Sequence, residues 1–420
     1  MENINPPLWL SLPFVALLAT IALAPLFFSD WWGKHYPKVA GGLAAIVVGY
    51  YIFGLQAGPR VLETGEEYIS FICLVGSLFV VSGGIHINVK GEATPFANVL
   101  FLLVGAVVAN LLGTTGASML LIRPWLRMNK YRVTAHHVCF FIFIVSNVGG
   151  CLTPIGDPPL FLGFLQGVPF WWVAKQCLPM WVTGVGILLL MFYIVDRINF
   201  SRAPKEVREK ETAHEKWTFT GMGNLFFLTV IIGAVFISRP PFLREALMIV
   251  AAVGSYLTTK KSVHESNQFS FNPIKEVAIL FIGIFATMMP TLDWLAHNAS
   301  TLLGANPAPG VFYFGSGALS SVLDNAPTYL SFLSALFGTS GTTDIHTLLA
   351  LHPHFIIAIS IGSVFFGANT YIGNGPNFMV KAIADHQKVH TPTFLDYVWK
   401  FTLPFMLPML LIVWVVFLRG

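Results

Sequence analysis

From residue 8 to residue 418 the chain is a succession of apolar runs, most of them near the roughly 20 residues a helix needs to cross a bilayer. No polar stretch between them is long enough to fold as a soluble domain, so the runs must share one membrane domain. Composition agrees: 55% of the 420 residues are hydrophobic and 10% charged, against about 25% charged in a soluble domain. A soluble enzyme is thereby excluded. The net charge of +4 matters less by its total than by its distribution, and no nucleic-acid partner is expected. Met1 to Pro7 lacks the basic segment of a secretory signal, so the first run is expected to be retained as a span. Cys73, Cys139, Cys151 and Cys177 lie in apolar segments without metal-ligand spacing and read as small buried hydrophobes.

Ten crossings are expected, near 8–28, 38–56, 67–88, 131–165, 170–196, 220–238, 243–258, 274–292, 353–380 and 394–418. Two further stretches, 95–125 and 308–338, are interrupted by Gly113-Thr-Thr-Gly-Ala-Ser118 and Leu323-Asp-Asn-Ala-Pro-Thr328. Each half is too short to span, so both read as re-entrant hairpins. Cytoplasmic loops collect Lys and Arg. On this topology nineteen of the 24 basic residues fall on one side, and five (Arg60, Lys175, Arg239, Arg244, Arg419) on the other. Both termini are then outside and the charged linker, 197–218, is cytoplasmic. The first hairpin opens inward and the second outward.

The halves echo one another. Thr153-Pro-Ile-Gly-Asp-Pro-Pro159 matches Thr370-Tyr-Ile-Gly-Asn-Gly-Pro376; an Asn precedes each (Asn147, Asn369), and each hairpin follows a span with a central glycine (Gly76, Gly283). Five crossings per half is an odd number, so the second copy must be inverted. The expected fold is an all-α polytopic membrane protein: ten transmembrane helices plus two re-entrant hairpins in two inverted-topology repeats, with broken helices at the midplane. The first repeat is 1–200 (hairpin 95–125, broken helix 131–165), the linker 201–218, and the second repeat 219–420 (hairpin 308–338, broken helix 353–380). Inverted repeats with broken helices are a mark of secondary transporters. Irregular backbone persists in a membrane only where protein buries it or a cavity borders it, so the breaks mark a binding site.

Pro154, Pro158 and Pro159 interrupt the helix and Gly149, Gly150 and Gly156 permit unusual backbone, which frees carbonyls to face an ion. Ser146, Asn147, Thr153, Asn369, Thr370, Asn374 and Asn377 add neutral oxygens, and the hairpin tips contribute Thr115, Ser118, Asn325 and Thr328. Such ligands suit a hard monovalent cation, and half-helix N-termini could instead hold an anion. Asp157 and Asp324, one per half, are the acids to single out, because charge at such depth is costly. With Asn147 and Asn369 they form the expected sodium ligands. Desolvation favours a carboxylate's protonated form and a bound cation its charged form, so one Asp can trade a proton for a metal ion. The competing role is an Asp that caps a half-helix. His136 and His137, at the inner end of the broken span, can relay protons but read more simply as a solvated pair. Glu66, Glu67 and the stretch Lys205–Lys216 read as solvated faces, and Trp31, Trp32, Trp171, Trp172, Trp181 and Trp294 as an aromatic belt.

The strings Ser146 to Pro159 (SNVGGCLTPIGDPP), Leu323-Asp-Asn325 and Gly367 to Asn377 (GANTYIGNGPN) resemble the ion transporter superfamily. Within it, the likeness is to D-type sodium/proton antiporters and to citrate and arsenite permeases, and it extends over nearly the whole chain. The resemblance implies an elevator-type carrier of a bacterial inner membrane, often a homodimer, with no cofactor and with sodium ions and protons as transported or coupling ions. Dicarboxylate carriers of the superfamily have Ser-Asn-Thr at both tips; here the tips read Thr114-Thr-Gly-Ala-Ser118 and Asp324-Asn-Ala-Pro-Thr328. An Asp at the second tip repels a dicarboxylate and attracts a cation, and no buried Arg or Lys is expected to hold an anion. Sodium/proton antiport is therefore the leading expectation, with sodium- or proton-coupled transport of citrate, a dicarboxylate or an oxyanion as the alternative. Two membrane Asp residues, one in Ile-Gly-Asp, also resemble intramembrane aspartyl proteases. That family has glycine where this chain has Pro154, however, and a protease needs no inverted repeat.

Overall fold

The computed structural model describes residues 4–89, 93–201, 217–304, 307–342 and 344–419. Lys90 and most of the linker, including Lys205–Lys216, lie outside the described residues. Helix makes up nearly all of the rest. In hydrocarbon a backbone must satisfy its own hydrogen bonds, which a helix does. The one β pairing among the described residues is a short ribbon, His86–Asn88 antiparallel to Thr218–Thr220.

Eight helices among the described residues are long and apolar enough to cross a bilayer: Leu8–Pro25, Ser29–Gly54, Gly58–Gly83, Pro95–Met128, Ala135–Leu152, Phe170–Ser201, Asn272–Leu303 and Phe394–Leu418. The pair Ile345–Leu351 and Pro353–Asn369, bent by 101°, makes nine if it is one span. One of the eight, Pro95–Met128, is the first hairpin, so seven helices, or eight with the bent pair, stand against the ten expected crossings, for local reasons. Asn224–Val235 has 12 residues and Leu243–Thr258 has 16, both short for a crossing. The run expected at 131–165 is divided into Ala135–Ile144, a 3-10 turn Val148–Leu152 and Pro158–Leu165. The run at 353–380 is divided into Pro353–Phe366, Gly367–Asn369 and Gly375–His386. The outer surface is apolar: Phe53, Leu62, Phe226, Leu257 and Trp399 are all more than two-thirds exposed, as a lipid-facing wall requires.

Pro95–Met128 contains one residue with non-helical backbone, Gly113, at φ 74° and ψ 156°. The chain reverses there. Residues equidistant from Gly113, to within one position, face one another: the Asn98 amide donates to Asn129 at 2.8 Å, the Phe101 and Trp125 rings stack at 5.5 Å, and a Cβ on Gly105 would meet Leu121 Cδ1 at 3.4 Å. Pro309–Val322 and Asn325–Ser340 likewise fold together about an extended Leu323-Asp324 link, and the Phe312 and Phe332 rings pack at 6.3 Å. Only glycine adopts the Gly113 conformation cheaply, and a Cβ there would also lie 3.2 Å from the Ile155 carbonyl oxygen. Gly113→Ala should cost about 1–3 kcal/mol, read as a lowered unfolding midpoint in detergent; an unchanged midpoint would show that the turn tolerates a side chain.

Asn272–Leu303 packs along Ser29–Gly49 and Gly58–Gly83. Gly283 permits the approach, since a Cβ there would lie 2.9 Å from Ala40 Cβ and 3.0 Å from Leu17 Cδ2. Farther along, Phe71 stacks on Phe281 at 4.7 Å. This wall packs against Asn325–Ser340, Pro95–Met128 and Pro158–Leu165, and behind them the broken-helix residues Val138 to Val145 and Ile359, Ile361, Val364 and Phe365 are fully buried.

Candidate functional site

The two breaks fold alike. In the first, the Thr153 hydroxyl donates to the Asn110 carbonyl at 2.6 Å and accepts from the Gly156 amide at 3.1 Å. In the second, 217 residues on, the Thr370 hydroxyl donates to the Ser321 carbonyl at 2.6 Å and accepts from the Gly373 amide at 3.2 Å. Each threonine thus staples its break to a hairpin. Glycine is needed at the tightest points, because a Cβ on Gly156 would sit 2.1 Å from the Gly150 oxygen and one on Gly373 2.6 Å from the Gly367 oxygen.

Four elements converge on Asp157, which is 1% exposed. Its Oδ1 accepts from the Thr114 hydroxyl at 2.6 Å and from the Asn374 amide at 3.1 Å, and its Oδ2 accepts from the Asn325 amide at 2.5 Å. Thr114 is at the first hairpin tip, Asn325 at the second, and Asn374 in the other break. Every one of these donors is neutral. A desolvated carboxylate without a cationic partner is costly, so the arrangement favours a proton or a small cation on Asp157. Around it, Asn374 also donates to the Ser146 carbonyl at 3.1 Å and Asn147 Oδ1 at 3.2 Å. Asn147 donates to Asn377 Oδ1 at 2.7 Å, and the Asn377 amide donates to the Gly367 and Thr370 carbonyls at 2.8 and 2.9 Å. The Ser118 and Ser146 hydroxyls are 2.7 Å apart.

Two buried side-chain oxygens here, Asn325 Oδ1 and Asn369 Oδ1, have no hydrogen-bond donor among the described residues. Buried acceptors are nearly always satisfied, and a hard cation is what neutral carbonyl oxygens suit. Asn369 otherwise donates to the Ser321 hydroxyl at 2.9 Å. Beside the first tip is a cavity of about 20 Å³, bordered by Gly113, Thr114, Thr115, Pro154, Gly156 and Pro158. That is space for one water-sized particle.

Other expected residues fall differently. Asp324 is half-buried and caps Asn325–Ser340, its Oδ1 accepting from the Ala326 amide at 3.0 Å, while its carbonyl accepts from the Thr328 hydroxyl at 2.9 Å. Asp157 and Asp324 therefore bond different partners among the described residues. At the first tip the hydroxyl on Asp157 is that of Thr114, one residue before the expected Thr115. Asn110 and Trp181 were not anticipated: the Asn110 amide and the Trp181 indole N–H both donate to the Gly149 carbonyl, at 2.7 and 2.8 Å. Asn110 lies three residues before Gly113, one helical turn from the tip, which is the signal that could have found it. Trp181 belongs to this framework and not to an interfacial belt.

The expected solvated pair is not solvated. His137 is fully buried and His136 is 7% exposed, both against Asp196 Oδ1, at 3.1 and 3.3 Å. Arg132, which is 8% exposed, donates through both terminal nitrogens to the same carboxylate. The expectation of no buried Arg thus fails, but this one is paired. Asn98 Nδ2 donates to Asp196 Oδ2 at 2.9 Å, and Asn129 is bonded to Asn98. Asp196 therefore ties both ends of the first hairpin to Phe170–Ser201. His136, His137 and Asp196 have metal-ligand geometry, but the guanidinium occupies the carboxylate, so the cluster is an ion-pair network. Glu67 is not a free surface group either; it accepts from the Gln166 amide at 2.6 Å.

The sequence model of a family described as "Putative citrate transport" matches residues 3–418. An uncharacterized transporter of Mycobacterium tuberculosis is 24% identical over 416 residues, covering 92% of this chain and 93% of the relative. The "46 kDa membrane protein" of Mycobacterium leprae is 24% identical over 420 residues, with the same shares covered. A second uncharacterized transporter of Mycobacterium tuberculosis is 22% identical over 426 residues, again covering 92% and 93%. Matches of this extent, on a chain with this many spanning helices, identify an integral membrane transporter.

Proposed function

Because the chain belongs to the "Putative citrate transport" family, we propose that it is a secondary active transporter, and specifically one that exchanges protons for sodium ions at Asp157. One observation carries the choice of cargo: a desolvated carboxylate in the first break, held only by neutral donors from both hairpins and the second break. Such a group binds a proton or a cation, one at a time, and that alternation is an antiport cycle. Asn147, Asn325 and Asn369 complete the sodium ligands, with Asp324 as the second acid near the tip. The cycle is of the elevator type, in a homodimer in a bacterial inner membrane, with two inverted halves. The matched staples at Thr153 and Thr370 support the repeat, and the bias of basic residues supports external termini and a cytoplasmic 197–218.

The family's description favours a second reading, coupled transport of citrate, another small carboxylate or an oxyanion. On that reading the neutral amides and half-helix ends would hold the anion and a co-bound cation would offset Asp157.

Liposomes containing the purified protein and a pH-sensitive dye separate the two. With an imposed proton gradient, sodium should collapse the gradient within the assay while citrate alone leaves it intact. A citrate-dependent signal with silence toward sodium, lithium and potassium would replace the first reading with the second.

A further inference from the structure

The wall formed by Ser29–Gly54, Gly58–Gly83, Leu243–Thr258 and Asn272–Leu303 is held together by polar side chains. The Tyr51 hydroxyl and Arg60 Nε donate to Asp293 at 2.8 and 3.1 Å, the Tyr68 hydroxyl to the Ala278 carbonyl at 3.0 Å, and the Ser70 hydroxyl to Glu245 at 2.6 Å. The hairpins and breaks have their own polar networks, around Asp157 and around Asp196. Between the wall and these pieces, one side-chain hydrogen bond is present among the described residues: the Gln166 amide donates to Glu67 Oε1 at 2.6 Å. Elsewhere along the seam apolar groups meet, as the Phe170 and Phe236 rings do at 4.7 Å. Both ends of the bond lead to the site. Gln166 closes Pro158–Leu165, the half-helix that begins at Asp157. Glu67 shares a face of Gly58–Gly83 with Leu74 and Leu78, seven and eleven residues on, and those two border the cavity beside Thr114.

The geometry points to Glu67–Gln166 as a latch that fixes the first broken helix against the wall and must open for Asp157 to move, with the elevator motion proposed above as its premise. Apolar burial is non-directional, so two apolar surfaces can slide past one another by shear. A hydrogen bond holds a distance and an angle, and so fixes where along the seam the two pieces rest. Pro158–Leu165 transmits that register to the site. Its eight residues make a helix about 12 Å long, with Gln166 at one end and Asp157 at the other, so displacing Gln166 along the wall displaces Asp157 with it. The wall end of the latch is itself anchored, since Arg60, one face of the helix above Glu67, is bonded to Asp293 of Asn272–Leu303. A bond made in one end state and broken in the other shifts the population toward the state that has it. Glu67 thereby sets which side of the membrane the site faces at rest, without touching the cargo.

The test is a pulsed electron-resonance distance measurement on the full chain in phosphatidylcholine nanodiscs, with spin labels at Glu66→Cys and Pro169→Cys, exposed positions on either side of the latch. Cys73→Ser removes the half-buried native thiol; Cys139, Cys151 and Cys177 are buried. With the latch intact one distance should predominate. Gln166→Leu should raise a second, displaced population by about fivefold, the shift that losing one hydrogen bond implies. Glu67→Gln, which keeps a neutral acceptor, should raise it less, and Glu63→Gln, on the same helix and bonded to Arg60, should leave it unchanged. In liposomes, Gln166→Leu should also change the ratio of half-saturating sodium concentrations measured from the two faces by about twofold or more, which a mere loss of folded protein does not do. A distance distribution that neither Gln166→Leu nor Glu67→Gln alters, or that Glu63→Gln alters equally, would overturn the latch even if sodium exchange is found. A distribution that shifts as expected in a protein without sodium exchange would support the latch and overturn the choice of cargo instead.

Discussion

Asp157→Asn should stop sodium/proton exchange while leaving the protein folded. The fold is expected to survive because the new side chain fits its neighbours. Its oxygen can still accept from Thr114 and Asn374, and its amide nitrogen would face Asn325. Rotating the Asn325 amide then presents Oδ1, the buried atom that otherwise lacks a donor. The exchange of one hydrogen bond for another should move stability by no more than about 1 kcal/mol. Transport is different, because the amide carries no charge to trade between a proton and a cation. Removing the charged partner of a buried cation costs about 2–5 kcal/mol, so the initial rate of sodium-driven gradient collapse should fall by about 30-fold or more. Undiminished exchange in a well-folded Asp157→Asn protein would remove Asp157 from the mechanism. Asp324→Asn then isolates the second acid: Asn caps a helix about as well as Asp, so an unaltered unfolding midpoint with lost exchange would report the charge alone.

The largest structural effect should come from Asp196→Ala. The carboxylate faces two nitrogens of Arg132, both histidines and Asn98 in one buried cluster. Its removal leaves a guanidinium buried without its counter-charge, which costs about 3–5 kcal/mol. It also releases both ends of the first hairpin from Phe170–Ser201. The protein should lose most of its yield in detergent, and what remains should unfold at a clearly lower temperature. Pairing the change with Arg132→Met should recover a large part of the loss, because an apolar pair of similar size avoids the desolvation cost. A single variant as stable as the parent, or a double variant no better than the single, would show that this network does not hold the hairpin.

How much of this was legible in the sequence depends on which physical rule governs each residue. The breaks were legible because proline and glycine cluster there and act on their own backbone: Gly156 and Gly373 lie in the irregular stretch, and Pro158 and Pro376 stand in the first turn of the helix that resumes after it. The reversal at Gly113 was legible for the same reason, as were Asp157, Asn325 and Asn374, polar groups in runs where lipid would exclude them. The count of crossings was less so, since Asn224–Val235 and Leu243–Thr258 are apolar over a longer window than they are helical. Thr115 stood for Thr114 because a tip sequence does not reveal which of two adjacent hydroxyls turns inward; that is fixed by the Gly113 dihedrals.

His136 and His137 show the opposite limit. A pair of histidines at a helix start reads as solvated unless a partner is known, and theirs, Asp196, is 60 and 59 residues away in the chain. The sequence by itself determined that this is a membrane protein of broken helices with acids at the breaks, because bilayer thickness and backbone hydrogen bonding act on each segment separately. Only the tertiary structure decided that Asp157 is the point of convergence, that Asp324 caps a helix, and that Arg132 is buried against Asp196. Those outcomes depend on which distant side chains are brought within about 3 Å of one another, and no local pattern carries that information.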